Sequence, residues 1–135
     1  MLFRSDGVAE VLVRLGERFK LGLITNAYDG QEQRKRIVSS GLHDHFDEIL
    51  ISGDIGVYKP DPNIFLTLLN SFDVKPENAI YIGDSIKHDV AGANSAGMKS
   101  VLFSKSSKRL SSDADYHAHG VEGLGILVSD LCELT

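Results

Sequence analysis

Four short apolar runs alternate with segments of helical periodicity, and that alternation decides the fold class of this chain. The runs are KLGLIT (20–25), DEILIS (47–52), AIYIGD (79–84) and KSVLF (99–103). They are nearly continuous in apolar character, as strands buried on both faces of a parallel sheet are. Before the first run, Val8, Val11, Leu12, Leu15 and Phe19 recur at helical spacing. GQEQRKRIVSSG (30–41) follows it as a polar helix closed by Gly41. DPNIFLTLLNSF sets Pro62 in a first helical turn, with Ile64, Phe65, Leu68 and Leu69 on one face. HDVAGANSAG reads as a helix ending at Gly97, YHAH (116–119) as a short edge strand, and the stretch from about Val121 to Leu131 as a final helix. Strands alternating with helices give βα units. The expectation is an open, doubly wound α/β fold: a parallel sheet with helices on both faces.

The 135 residues allow one domain with a real core, spanning 1–135, and make a second domain implausible. A net charge of -5 argues against a nucleic-acid partner and offers nothing to a membrane surface. No apolar run approaches the ~18 residues of a membrane span, and the N-terminus lacks a signal-peptide pattern. Cys132 stands alone, so no internal disulfide can form, and no Cys/His group has zinc spacing. A cytoplasmic protein is the default.

Ligands of open α/β sheets bind beyond the carboxyl ends of the strands. The first run ends there in Thr25-Asn26, the third in Gly83-Asp84-Ser85, and Lys59-Pro60 lies in the loop after the second. Thr25 and Asn26 suit non-bridging phosphoryl oxygens, and Lys59 supplies a compact positive charge. Asp84 is a hard oxygen ligand of the kind Mg²⁺ prefers. Asp89, about a helical turn further on, suits a metal-bound water or an orienting contact to Lys59. Each has a plainer role in isolation. Thr25-Asn26 and Asp84 resemble strand ends that cap a helix, Asp89 a helix-dipole partner, and Lys59 a solvated loop lysine. Coincidence at one sheet edge favours the chemical reading.

Other residues stay structural. The five histidines share no metal spacing, and RKR at 34–36 reads as a solvated helix face. Tyr28 and Asp29 suit either substrate contact or a loop role. Cys132 reads as a small packed residue. GANSAG reads as close packing of a helix on the sheet.

LGLITNAYDG, GVYKPDPNIF and YIGDSIKHDVAGANSAGM resemble, in order and spacing, the second, third and fourth motifs of the haloacid dehalogenase (HAD) superfamily. They look like its branch of capped small-molecule phosphatases, and the resemblance runs from about Gly7 to the C-terminus. It implies a Rossmann-like core and Mg²⁺-dependent hydrolysis of a small phosphorylated metabolite. In that reading Thr25 and Asn26 bind the phosphoryl group, Lys59 neutralises phosphate and nucleophile, Asp84 ligates Mg²⁺ and Asp89 completes the acidic site. The family's first motif, DxDGT, carries the nucleophilic aspartate and the general acid/base, and no such segment occurs in this chain. Aligning DGVAEVLVRL with the segment that leads from the cap back into the core places that motif, its strand and the cap upstream of Met1.

Three consequences are expected. Thr25, Lys59 and Asp84 should meet at the C-terminal edge of the sheet. The strands ending at Thr25 and Asp84 should be separated by a gap, filled by the N-terminal segment, or closed by pairing with another chain. The chain by itself should bind Mg²⁺ weakly and leave phosphate esters intact. The competing classes are a non-catalytic fragment or pseudoenzyme binding phosphate or a partner, and a receiver-like phosphoacceptor domain, whose acids would precede its Thr and Lys rather than follow them. A haloacid dehalogenase proper fits less well, because that branch needs no metal and lacks the Gly-Asp present here at Gly83-Asp84.

Overall fold

A computed structural model describes residues 7–105 and 109–133. Helix α1 (Val8–Gly16) leads into strand β1 (Gly22–Thr25), α2 (Gly30–Ser39), β2 (Glu48–Ile51), a one-turn helix α3 (Ser52–Ile55) and α4 (Pro62–Phe72). Strand β3 (Ile80–Gly83) follows, then a π-helical turn (Ile86–Val90) that runs into α5 (Ala91–Ala96). The chain closes with β4 (Lys99–Ser104), β5 (Tyr116–His119) and α6 (Gly120–Glu133). All strand pairs are parallel, as the alternating pattern requires.

Local chemistry explains the boundaries. Asp61 caps α4 by accepting the Asn63 N–H at 2.9 Å, with Pro62 in the first turn where its missing N–H has no cost. Asp29 caps α2 through the Glu32 N–H at 3.1 Å. Gly97, at φ 87°, ends α5 in the left-handed conformation that an L-residue adopts only with strain.

Among the described residues the strands fall into two ladders. β1 pairs with β2 from Gly22 opposite Glu48 to Thr25 opposite Ile51, while β3, β4 and β5 form a separate three-stranded ladder. Among the described residues no ladder joins β1 to β3. The absence of a direct β1–β3 ladder agrees with the expectation that these strands are not neighbours in the sheet. The N-terminal segment named as an alternative filler lies outside the described residues.

Side chains hold the two ladders together. On one face Ile64, Phe65, Leu68 and Leu69 of α4 pack with Ile24 of β1, Tyr81 of β3 and Ala93 and Ala96 of α5. On the other face Val11 and Leu15 of α1 and Leu124 and Val128 of α6 cover Val101, Phe103 and Ala118, joined by Ile82. Tyr81 and Ile82 are consecutive and enter opposite clusters, as strand alternation demands. Phe65 meets Tyr81 edge-on, ring centroids 4.9 Å apart, so α4 bridges the two ladders. Burying a side chain such as Ile64 or Phe65, both fully enclosed, contributes about 2 kcal/mol.

Several expectations are corrected. Ser52 starts α3 instead of ending the strand. The helix after Asp84 begins earlier, at Ile86, and with π-helical geometry. The GANSAG stretch packs closely as expected, with Ala93 and Ala96 in the cluster that holds Ile24 and Tyr81 of the sheet, and it meets α4 as well, where a Cβ on Gly92 would lie 2.5 Å from the Phe65 ring. The polar loop after β4 lies partly outside the described residues. Among the described residues no helix is long and apolar enough to cross a membrane.

Candidate functional site

Polar contacts tie together the carboxyl ends of β1 and β3, between which the described residues form no backbone ladder. Asn26, just past β1, makes a reciprocal amide pair with the backbone of Lys59: Lys59 N donates to Oδ1 at 2.9 Å, and Nδ2 donates to the Lys59 carbonyl at 3.1 Å. Asn26 is therefore largely committed to holding the Lys59 loop beside Thr25. Ser52, fully buried, secures the next residue by accepting the Ala27 N–H at 2.8 Å and donating to the Ala27 carbonyl at 3.2 Å.

From that loop the Lys59 side chain crosses to β3. Nζ lies 2.7 Å from Asp89 Oδ1, with the two side chains only 13% and 6% exposed. It also donates to the Tyr81 hydroxyl at 3.4 Å, and the Tyr81 hydroxyl donates to the Ile24 carbonyl at 3.3 Å. That last bond reaches from one ladder to the other. Burial pushes the Tyr81 hydroxyl pKa well above its ordinary value of 10, and the negative charges of Asp89 and Asp84 push it the same way.

The second Asp89 oxygen accepts the Ser85 N–H at 3.1 Å. The π-helical turn folds this carboxylate under Gly83, where any Cβ would overlap it. Glycine is needed there for the close approach. Asp84 is the opposite case: it follows β3 directly, is exposed, and makes no side-chain hydrogen bond or ion pair among the described residues. The two acids singled out in the sequence thus differ, one buried and paired, the other open.

Of the five candidate residues, contacts join Asn26, Lys59 and Asp89, while Thr25 ends β1 next to Asn26 and Asp84 follows the end of β3. Of the two open possibilities for Asp89, the geometry realises the contact to Lys59. Asp29 serves as the α2 cap, and Tyr28, 89% exposed, stacks obliquely on Tyr58 with centroids 5.3 Å apart. Among the described residues no group of three or more His, Cys, Asp or Glu side chains converges to hold a metal ion. Sequence reasoning missed Tyr81 and Gln33, whose Nε2 donates to Thr25 Oγ1 at 2.9 Å. A tyrosine inside an otherwise aliphatic run, and a glutamine on the buried side of a polar helix, were the available signals.

A family model described as haloacid dehalogenase-like hydrolase matches residues 2–103. Among curated proteins, the chain is 42% identical over 95 residues to a glyceraldehyde 3-phosphate phosphatase of Methanopyrus kandleri, covering 70% of the chain and 40% of that protein. It is 44% identical over 81 residues to a phosphoserine phosphatase of Thermus thermophilus, covering 60% and 32% respectively. The chain thus spans less than half the length of these two relatives. A HAD phosphatase from Thermococcus onnurineus superposes with a TM-score of 0.83 at 31% identity, over 92% of this chain and 57% of that one. A HAD hydrolase from Bacillus subtilis bound to magnesium gives 0.82 at 27% identity, over 92% and 55%.

Proposed function

The chain belongs to the haloacid dehalogenase-like hydrolase family, and from that membership we propose that its sheet edge is the phosphoryl-binding part of a phosphatase acting on a small phosphorylated metabolite. The observation that carries this reading is the seating of Lys59. Its ammonium is held by Asp89 and Tyr81, which together engage two of its three N–H donors. The third remains for a phosphoryl oxygen, and the Lys59 loop is held by Asn26, the residue next to Thr25. Phosphatase names among the relatives support the substrate class.

A Mg²⁺ ion would be held by Asp84, the exposed carboxylate at the end of β3. This donor set fits an ion that keeps most of its waters and takes the rest of its ligands from phosphate oxygens; it does not fit a cage site. When bound, the ion supplies positive charge at the transferring phosphoryl group. Asp89, with its oxygens on Lys59 and the Ser85 N–H, acts in this proposal as an orienting carboxylate more than as a ligand.

Thr25, Asn26, Lys59 and Asp84 bind and neutralise charge, whereas phosphoryl transfer in the family proceeds through a carboxylate nucleophile, which the resemblance assigns to the DxDGT motif. Residues 1–135 carry no such motif. Turnover of p-nitrophenyl phosphate with excess Mg²⁺ should therefore be at background for this chain. It should appear when the chain is joined to a family DxDGT segment, and vanish again with Asp84→Ala. Robust Mg²⁺-dependent turnover by the 135 residues alone would overturn the division of labour. The separation of the strands into two ladders among the described residues supports a second reading, a chain that binds phosphate or pairs with another chain without catalysis. Silence of the joined protein would favour it.

A further inference from the structure

We propose that Gln33 is a positioning residue that turns the proton of the Thr25 hydroxyl outward into the cleft. Gln33 is on the inward side of α2 with Gly30 and Ile37, and only 7% of it is exposed. A primary amide at such a position is costly to bury without a partner. The partner is Thr25: Nε2 donates to Oγ1 at 2.9 Å in a part-buried contact that links α2 to the end of β1.

The consequence follows from donor arithmetic. A threonine hydroxyl has one proton and two acceptor lone pairs, whereas the amide nitrogen of glutamine only donates. An N–H aimed at Oγ1 occupies a lone pair and leaves the hydroxyl proton without a role in the fold. That proton is then available to a phosphoryl oxygen beside Asn26 and Lys59. With the amide reversed, Oε1 would take the proton, and Thr25 would present lone pairs to an incoming anion. Gln33 thus decides whether Thr25 attracts or repels the group it faces. The inference rests on the proposed phosphoryl site, and its test separates the two.

Sulfate is a suitable probe, because it is a tetrahedral dianion whose charge does not change from weakly acidic to weakly alkaline pH. Binding to the 135-residue chain is followed by the amide resonances of Thr25 and Asn26, with the rest of the spectrum reporting that each variant is folded. Thr25→Val should weaken sulfate about tenfold, the loss of one hydrogen bond to a charged acceptor. Gln33→Glu, whose carboxylate can only accept, should weaken it at least as much at neutral pH. Affinity should return toward the wild-type value near about pH 5, as the introduced carboxylate gains a proton it can donate. In the Thr25→Val background the same change should cost little, because no hydroxyl remains to be turned. Gln33→Met, uncharged and unable to donate, should lose affinity by a smaller factor and without the pH dependence.

An equal loss from Gln33→Glu with and without the Thr25 hydroxyl would mean simple charge repulsion and overturn the proposal while leaving the phosphoryl site standing. Wild-type affinity in Gln33→Glu and Gln33→Met, with Thr25→Val still weakened, would overturn it likewise. Unchanged sulfate affinity in Thr25→Val would remove the phosphoryl site and this inference together.

Discussion

Lys59 and Asp89 form the most enclosed ion pair of the described residues, and its energetics are asymmetric. Removing one partner leaves the other charge buried, which typically costs several kcal/mol, whereas replacing both by apolar groups is often neutral. Asp89→Asn should lower stability by about 3 kcal/mol in urea unfolding, and Lys59→Met combined with Asp89→Leu should recover most of that loss. A double variant as unstable as the single one would show that Asp89 matters mainly through its bond to the Ser85 N–H. Tyr81 makes a second prediction. Its folded pKa is raised, chiefly by burial, so folded and unfolded chains are both neutral at that hydroxyl below about pH 10. Above that the unfolded chain ionises first, so the contribution of Tyr81 to stability is lost as pH rises from about 10 through the folded value. The sequence contains four tyrosines. Spectrophotometric titration should show one of them ionising only with alkaline unfolding, and Tyr81→Phe should abolish that late fraction. An unchanged late fraction in Tyr81→Phe would assign it elsewhere.

Where strand β3 meets the π-helical turn after it, Gly83 lies directly against the Asp89 carboxylate. A methyl group there must displace Asp89 and with it the seat of Lys59. Gly83→Ala should cost about 2 kcal/mol in thermal or urea unfolding, an overpacking effect. Stability within a few tenths of wild type would mean the turn yields easily. Elements of this kind divide what the sequence reveals from what it conceals. β1 to β4, α4 and the final helix were legible, since apolar runs and 3.6-residue periodicity are properties of neighbouring residues. The one-turn α3 was not. It is too short for any period, and it is anchored by Ser52 to Ala27, 25 residues earlier. The positions of Thr25, Lys59 and Asp84 at one edge were legible from strand order alone. That Tyr81 reaches Ile24 across 57 residues, or that Gln33 faces Thr25 instead of solvent, depends on tertiary placement that no local pattern encodes.

Taken entire, the fold gives a prediction about divalent cations: with Asp84 the one open carboxylate that the described residues place at the site, titration calorimetry of the chain with Mg²⁺ should find millimolar affinity or weaker. Micromolar binding would require a further ligand, and Asp6 or Asp29 would be the residues to replace first. The division into two ladders has its own consequence. Among the described residues, β1 and β2 are coupled to β3, β4 and β5 by the cluster around α4 and by a few polar bonds, with no backbone ladder shared between the two groups. Such a seam invites sub-global opening, in which part of a native protein detaches while the rest persists. Amide hydrogen exchange should find the β1–β2 pair less protected than β3–β4. Thr25 is on one side of the seam and Asp84 on the other, so an anion engaging both would act as a clasp. Its binding should slow exchange in β1 and β2 well beyond the residues it touches, by mass action on the closed form. Equal protection of the two ladders before and after anion would show that the protein opens only as a whole.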